Sequence, residues 1–153
     1  MKKYLLLFSL IIIGLSACDK DEVATQAAVD DAKIQAYIKA NNVTGLTKDP
    51  SGLYYKILIP GTGPYPVYAP TSSNLQVGYT LTYLDGQVAQ KASNAPLLLS
   101  STVLGFQIAM THINQGGRIY FIIPSNLGYG SNSTGAILSN EVLIYTVDLI
   151  GFY

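Results

Sequence analysis

Between residues 53 and 150 the chain alternates short β-branched and aromatic runs with Gly- and Pro-rich stops, and one segment alone in that stretch carries a helical period. Residues 53–59 read Leu-Tyr-Tyr-Lys-Ile-Leu-Ile and are closed by Pro60-Gly61-Thr62-Gly63. Such side chains suit a pleated surface, while Pro and Gly interrupt its ladder, so the run predicts a strand. Residues 75–84 predict a second strand that ends at Asp85-Gly86, with 87–90 continuing beyond it. Asp-Gly between two such runs is a hairpin signal. Residues 118–123, stopped by Pro124, and 141–150 complete the set. The helical segment is 103–114, with Leu104, Ile108 and Ile113 on one side, Phe106, Ala109 and Met110 nearby, and Gln115-Gly116-Gly117 as the expected stop. Several strands and one central helix imply an α+β fold with an antiparallel sheet.

Upstream, residues 23–40 predict a helix. Ile34, Tyr37 and Ile38 recur at i, i+3 and i+4 below Ala27 and Ala28, and Asn41-Asn42 supplies a stop. The apolar stripe is thin, which favours a stalk or a helix docked on the domain over one that pairs two copies. Residues 43–52 carry Gly45, Asp49-Pro50 and Ser51-Gly52, the chemistry of turns. Residues 64–74 form a loop rich in Pro, Ser and Tyr.

The N-terminus has a different purpose. Met1-Lys2-Lys3 is a basic start, residues 4–14 are apolar, and Leu15-Ser16-Ala17-Cys18 follows with small residues. This is the layout of a secretory signal peptide, and the apolar run falls short of the roughly 20 residues of a membrane span. Leu-Ser-Ala-Cys also resembles the bacterial lipobox, which implies diacylation of Cys18 after removal of residues 1–17. Cys18 is the only cysteine, so no disulfide competes for it. The expected organisation is a lipoprotein signal peptide at 1–17, a lipid-anchored linker with a short helix at 18–50, and a body at 51–153. The acidic cluster Asp19-Lys20-Asp21-Glu22 resembles lipoprotein sorting signals and suggests the outer membrane, facing either side. Without Lys2 and Lys3, 7 Lys and Arg (9 − 2) face 9 Asp and Glu, a net charge of −2. That balance argues against nucleic acid as a partner. His112 is the only histidine, which argues against a His-rich metal site, and no cofactor is expected.

The ordered pieces of the body resemble a known family. These are Gly52-Leu53-Tyr54-Tyr55-Lys56, Gly61-Thr62-Gly63, Val77-Gly78-Tyr79-Thr80, Leu84-Asp85-Gly86, Val103-Leu104-Gly105-Phe106, Gly116-Gly117-Arg118, Ile123-Pro124-Ser125-Asn126-Leu127-Gly128-Tyr129-Gly130 and the 143–149 run. In this order and near this spacing they are similar to FKBP-type peptidyl-prolyl cis–trans isomerases. The resemblance implies a curved antiparallel sheet wrapped around one short helix, with an aromatic pocket between the two. It also implies proline-containing polypeptides as substrates, and assistance to the folding of exported proteins at the cell envelope.

Residue by residue, the resemblance makes Tyr79 a pocket wall and Phe106 the pocket floor, where the family usually has tryptophan. Val103 matches an aliphatic whose backbone N–H contacts a ligand carbonyl. Tyr129 matches the tyrosine whose hydroxyl binds the peptide. Ile137 matches the aliphatic on a loop overhanging the pocket, Tyr145 stands where phenylalanine is usual, and Leu97 matches another wall aromatic. Three departures bear on activity, one being the 64–74 loop, a few residues longer than is usual in the family. Ala89 and Gln90 replace a Phe-Asp pair, opening one wall and removing an acceptor that orders the pocket hydroxyls. Ile137-Leu138-Ser139-Asn140 replaces Ile-Pro-Pro-Asn. The alternatives to an active isomerase are therefore a catalytically weak or inactive peptide-binding module, or a structural subunit of an envelope assembly. A monomer is the default expectation.

Overall fold

The structure, a computed structural model, describes residues 25–63 and 73–153. The leader, Cys18 and positions 64–72 of the expected loop lie outside the described residues.

The chain opens with α1 (Gln26–Ala40), capped by the Thr25 side chain, which accepts from the Ala28 N–H. Asn41 ends it, and Asn42 turns the chain at φ 51. Then come β1 (Thr47–Lys48), β2 (Tyr54–Ile59), β3 (Asn74–Tyr83), β4 (Val88–Leu98), α2 (Leu104–Met110), β5 (Arg118–Ile123) and β6 (Leu143–Phe152). The strands form one antiparallel sheet in the order β1-β2-β5-β6-β3-β4. The last strand thus inserts at the centre, between β5 and β3. That position buries both of its faces, and Leu143, Ile144 and Tyr145 are all buried in succession.

Alternation along the strands builds two cores, since successive side chains point to opposite faces. One face gathers Leu53, Val77, Leu81, Ile119, Phe121, Ile123, Leu143, Tyr145, Val147 and Leu149 with Phe106, Ala109 and Met110 of α2. The other face carries Tyr54, Ile122 and Ile144 beneath Ile34 of α1, with Tyr37 and Ile38 packed alongside. The expected stripe of α1 is therefore the docked face of that helix. Burying Ile34 completely contributes about 1.5–3 kcal/mol to the docking.

The sheet corrects several sequence expectations. The Asp85-Gly86 hairpin forms, with Tyr83 and Gln87 paired and Gly86 at φ 86, the bulge geometry that favours glycine. Its second strand, however, runs on to Leu98 rather than stopping near 90. The polar, Pro-containing 91–98 segment carries no clear alternation, and it becomes a strand because it is an edge ladder to β3. Two-residue β1 lies within the expected turn region, held by pairing to β2. The helix at 103–114 is shorter than its periodicity suggests, covering Leu104–Met110 only. Leu104 is 53% exposed, and the buried face is Gly105, Phe106, Ala109 and Met110. After Thr111 the backbone instead joins the end of β2, with Asn114 N–H donating to Pro60 O, so Gln115-Gly116-Gly117 does not end the helix. His112 accordingly lies outside the helix, its ring stacked on Tyr55 at 4.0 Å.

Candidate active site

Three rings pack together between α2 and the sheet, and two of them, Phe106 and Tyr145, line a pocket there. Phe121 of β5 and Tyr145 of β6 face each other across the ladder and stack, centroids 5.3 Å apart at 11°. Phe106 comes down from α2 edge-on to both, at 5.9 Å and 73° from Phe121 and at 5.6 Å and 78° from Tyr145. Edge-to-face pairs place a positive ring edge on a negative ring face, worth about 0.5–1.5 kcal/mol beyond area. Tyr79, on β3 diagonally across the ladder from Tyr145, adds a fourth ring at 6.3 Å.

The pocket has a volume of about 180 Å³ and is lined by Tyr79, Gln90, Leu97, Ser101, Thr102, Val103, Phe106, Tyr129 and Tyr145. This lies below the roughly 300–1,000 Å³ of drug-sized sites. Of the residues that the resemblance selects, Tyr79, Leu97, Val103, Phe106, Tyr129 and Tyr145 meet here. Ile137 does not line the cavity. It is buried in the main core, bridged to Thr134, and the next residue, Leu138, is 65% exposed. The loop bearing Ile137 is tied to the β3–β4 hairpin by the Tyr83 hydroxyl, which donates to Ala136 O at 3.0 Å.

The Ala89-Gln90 departure has visible consequences. Ala89 packs half-buried against the core and contributes no ring to the wall. Gln90 lines the pocket where the resembling family carries a carboxylate, so no charged side chain is among the lining residues. Burial pushes the Tyr145 phenol above its usual value, with the Tyr129 and Tyr79 hydroxyls adding to the effect. Tyr145 therefore stays neutral throughout the physiological range.

Val103 is the N-cap of α2, at φ −63 and ψ 150, and its carbonyl accepts from Phe106 and Gln107. Among the described residues no acceptor takes its own N–H. A helix leaves its first N–H groups unpaired, and Val103 stands among the residues that line the pocket. Sequence reasoning overlooked Ser101 and Thr102, also at the wall. Ser and Thr before a helix read as ordinary capping residues, and Thr102 does spend its hydroxyl on Leu99 O at 2.7 Å.

Comparison with known proteins agrees with this geometry. A family model described as FKBP-type peptidyl-prolyl cis-trans isomerase matches residues 67–150. FKBP-type peptidyl-prolyl cis-trans isomerase FkpA of Buchnera aphidicola subsp. Schizaphis graminum is 31% identical over 116 residues, covering 73% of this chain and 45% of that protein. Outer membrane protein MIP of Legionella longbeachae is 34% identical over 149 residues, covering 89% of this chain and 63% of that one. The crystal structure of FkpA from Escherichia coli has a TM-score of 0.71 at 25% identity, covering 82% of this chain and 60% of that chain. The chain spans about half the length of the curated relatives it matches. The sheet reaches beyond the matched segment, since β2 precedes it yet pairs with β5. By a match over more than half its length, together with the fold that carries the matched residues, this chain belongs to the FKBP-type peptidyl-prolyl cis-trans isomerase family.

Proposed function

We propose that this chain is a prolyl isomerase of the bacterial cell envelope, anchored through a diacylated Cys18, that accelerates the folding of exported proteins. The observation that carries the reading is the aromatic floor of Phe106 and Tyr145, backed by buried Phe121, in a pocket of about 180 Å³ with no charged lining residue. Rotation about an X–Pro amide faces a barrier of about 18–20 kcal/mol from amide resonance. The reaction needs no nucleophile, metal or proton shuttle. The planar amide has more charge separation than the twisted one, because conjugation is lost on twisting. A largely aromatic and aliphatic pocket with no charge in its lining therefore disfavours the planar ground state relative to the transition state, which is differential binding. In this reading proline packs on Phe106 against Tyr79, Leu97 and Tyr145. The Val103 N–H and the Tyr129 hydroxyl hold flanking carbonyls, and Ile137 backs the overhanging loop from within the core. An envelope location and a proline-containing polypeptide substrate follow from the leader pattern and from the kinship with FkpA and outer membrane protein MIP.

A second reading, a peptide-binding module with weak turnover, is favoured by one observation: Gln90 at the wall leaves the pocket hydroxyls without a carboxylate acceptor. NMR exchange on an apolar-X–Pro peptide with the purified full chain separates the two. Acceleration is expected, and Phe106→Ala should lose it. Peptide binding without acceleration establishes the second reading, and neither binding nor acceleration by a folded chain overturns both.

A further inference from the structure

Asp30, on α1, is completely buried on the face of the sheet opposite the pocket. Its Oδ2 accepts from the Ser125 backbone N–H at 2.8 Å and from the Ser125 hydroxyl at 2.6 Å. Its Oδ1 accepts from Gln26 Nε2 at 2.7 Å. Ser125 opens a short 3₁₀ turn, Ser125–Leu127, whose preceding residue is Pro124 and whose first N–H groups have no side-chain cap of their own. A carboxylate from 95 residues away supplies that cap. Bonds to an ionised acceptor are shorter and about twice as strong as neutral ones.

The far side of the same residue reaches the site. Ser125 O accepts from Gly128 N–H at 2.9 Å and from Gly130 N–H at 2.8 Å, the two residues that flank Tyr129. Tyr129 lines the pocket. A continuous set of hydrogen bonds thus runs from the α1 carboxylate through one serine to the backbone on either side of the pocket tyrosine. Asp31, the next residue of α1, makes separate contacts, with the Tyr54 hydroxyl at 2.7 Å and with Lys48 at 2.6 Å.

We infer that Asp30 is a positioning residue for Tyr129, so that α1, which precedes the matched segment, is part of the site's machinery rather than only a spacer. The kinetic consequence rests on the reading of Tyr129 as a peptide-binding hydroxyl. A hydroxyl that holds the peptide equally before and during rotation acts on KM and leaves kcat nearly unchanged.

The test uses the full chain labelled with 3-fluorotyrosine, in which Tyr129→Phe and Tyr79→Phe assign the two pocket resonances. Asp30→Ala is expected to shift or broaden the Tyr129 fluorine signal and leave that of Tyr79, on β3, in place. Asp30→Asn keeps an acceptor oxygen for Ser125 and should restore most of the Tyr129 signal. Asp31→Ala weakens the same helix without touching Ser125 and should leave Tyr129 unmoved. With an X–Pro peptide, Asp30→Ala should raise KM roughly threefold to tenfold with kcat little changed. If Asp30→Ala does not fold, Ser125→Ala, which deletes a single donor, takes its place with the same expectation. An unmoved Tyr129 signal overturns the inference, as does an equal response to Asp31→Ala. Should the wild-type chain prove inactive, the isomerase reading fails while the fluorine experiment still decides whether Asp30 positions Tyr129.

Discussion

Phe106 meets Tyr145 edge-on, ring centroids 5.6 Å apart and planes at 78°, so a helix side chain and a central-strand side chain form one surface. Phe106 is only 2% exposed and also packs on Phe121. It therefore serves the core and the pocket at once. Replacing it with alanine should cost about 3–5 kcal/mol, the usual range for a buried aromatic, and should abolish isomerase activity. Phe106→Leu keeps an apolar floor and should retain the fold with a smaller loss of rate. Urea midpoints and NMR exchange rates measure the two effects separately. A Phe106→Ala chain that turns over at the parental rate would place the site elsewhere.

The residue before Phe106 sets how closely α2 approaches the sheet. A Cβ on Gly105 would lie 2.6 Å from Ile123 Cγ2 and 3.0 Å from its Cδ1. Ile123 is β-branched, fully buried and stiff at χ1, so it has little room to yield. Gly105→Ala should therefore push α2 off β5, costing about 1–3 kcal/mol and lifting Phe106 out of place. Paired Gly105→Ala and Ile123→Val replacement should recover part of the loss, because valine lacks the Cδ1 methyl. Recovery of nothing would assign the push to the Cγ2 contact, which valine keeps.

The second core gives a contrasting expectation. Ile34 is fully buried against Tyr54, Ile122, Val142 and Ile144, away from the pocket. Ile34→Ala should cost about 2–5 kcal/mol and loosen α1 ahead of the sheet. Hydrogen exchange should show α1 amides opening first, with β5 and β6 amides still protected. Simultaneous loss of protection in all three would make α1 a full member of the cooperative unit.

Acid should act on the same helix. Hydrogen bonds from Lys48 and Tyr54 hold the Asp31 carboxyl below its ordinary value of 3.8. A carboxylate whose folded value is depressed contributes stability that is present above the unfolded value and is lost as pH falls through the folded one. The stabilities of the wild-type chain and of Asp31→Asn should therefore differ at neutral pH and converge below pH 3.8. The Asp31 side chain is about 40% exposed, so solvent keeps the effect small. A gap in urea midpoint that persists unchanged into strong acid would assign the effect to packing.

Much of this architecture was legible in the chain. The runs ending at Pro60, Asp85-Gly86 and Pro124 marked strands because their residues suit a pleat and their stops cannot continue one. The stripe of Ile34, Tyr37 and Ile38 marked the docked face of α1. Tyr79, Val103, Phe106, Tyr129 and Tyr145 were picked from the order of short motifs, and the fold brings them around one cavity. Local pattern reaches no further than its own segment. It extended α2 past Met110 because Ile113 keeps the helical period, whereas Asn114 is drawn away by a backbone bond to Pro60. It could not see the 91–98 strand, whose only reason to extend is the ladder to β3. Ile137 joins the same core cluster as Phe106 and Tyr145, although it is not among the residues that line the cavity. Nothing local to Asp30 points to Ser125, and only chain closure over 95 residues brings the two together. Periodicity and turn chemistry are properties of neighbours in the chain, so the sequence determined the elements and most of the pocket's ingredients. Which groups share a buried hydrogen bond, and which side chain wins a place in the cavity, depends on contacts between distant segments, and those the tertiary structure alone decided.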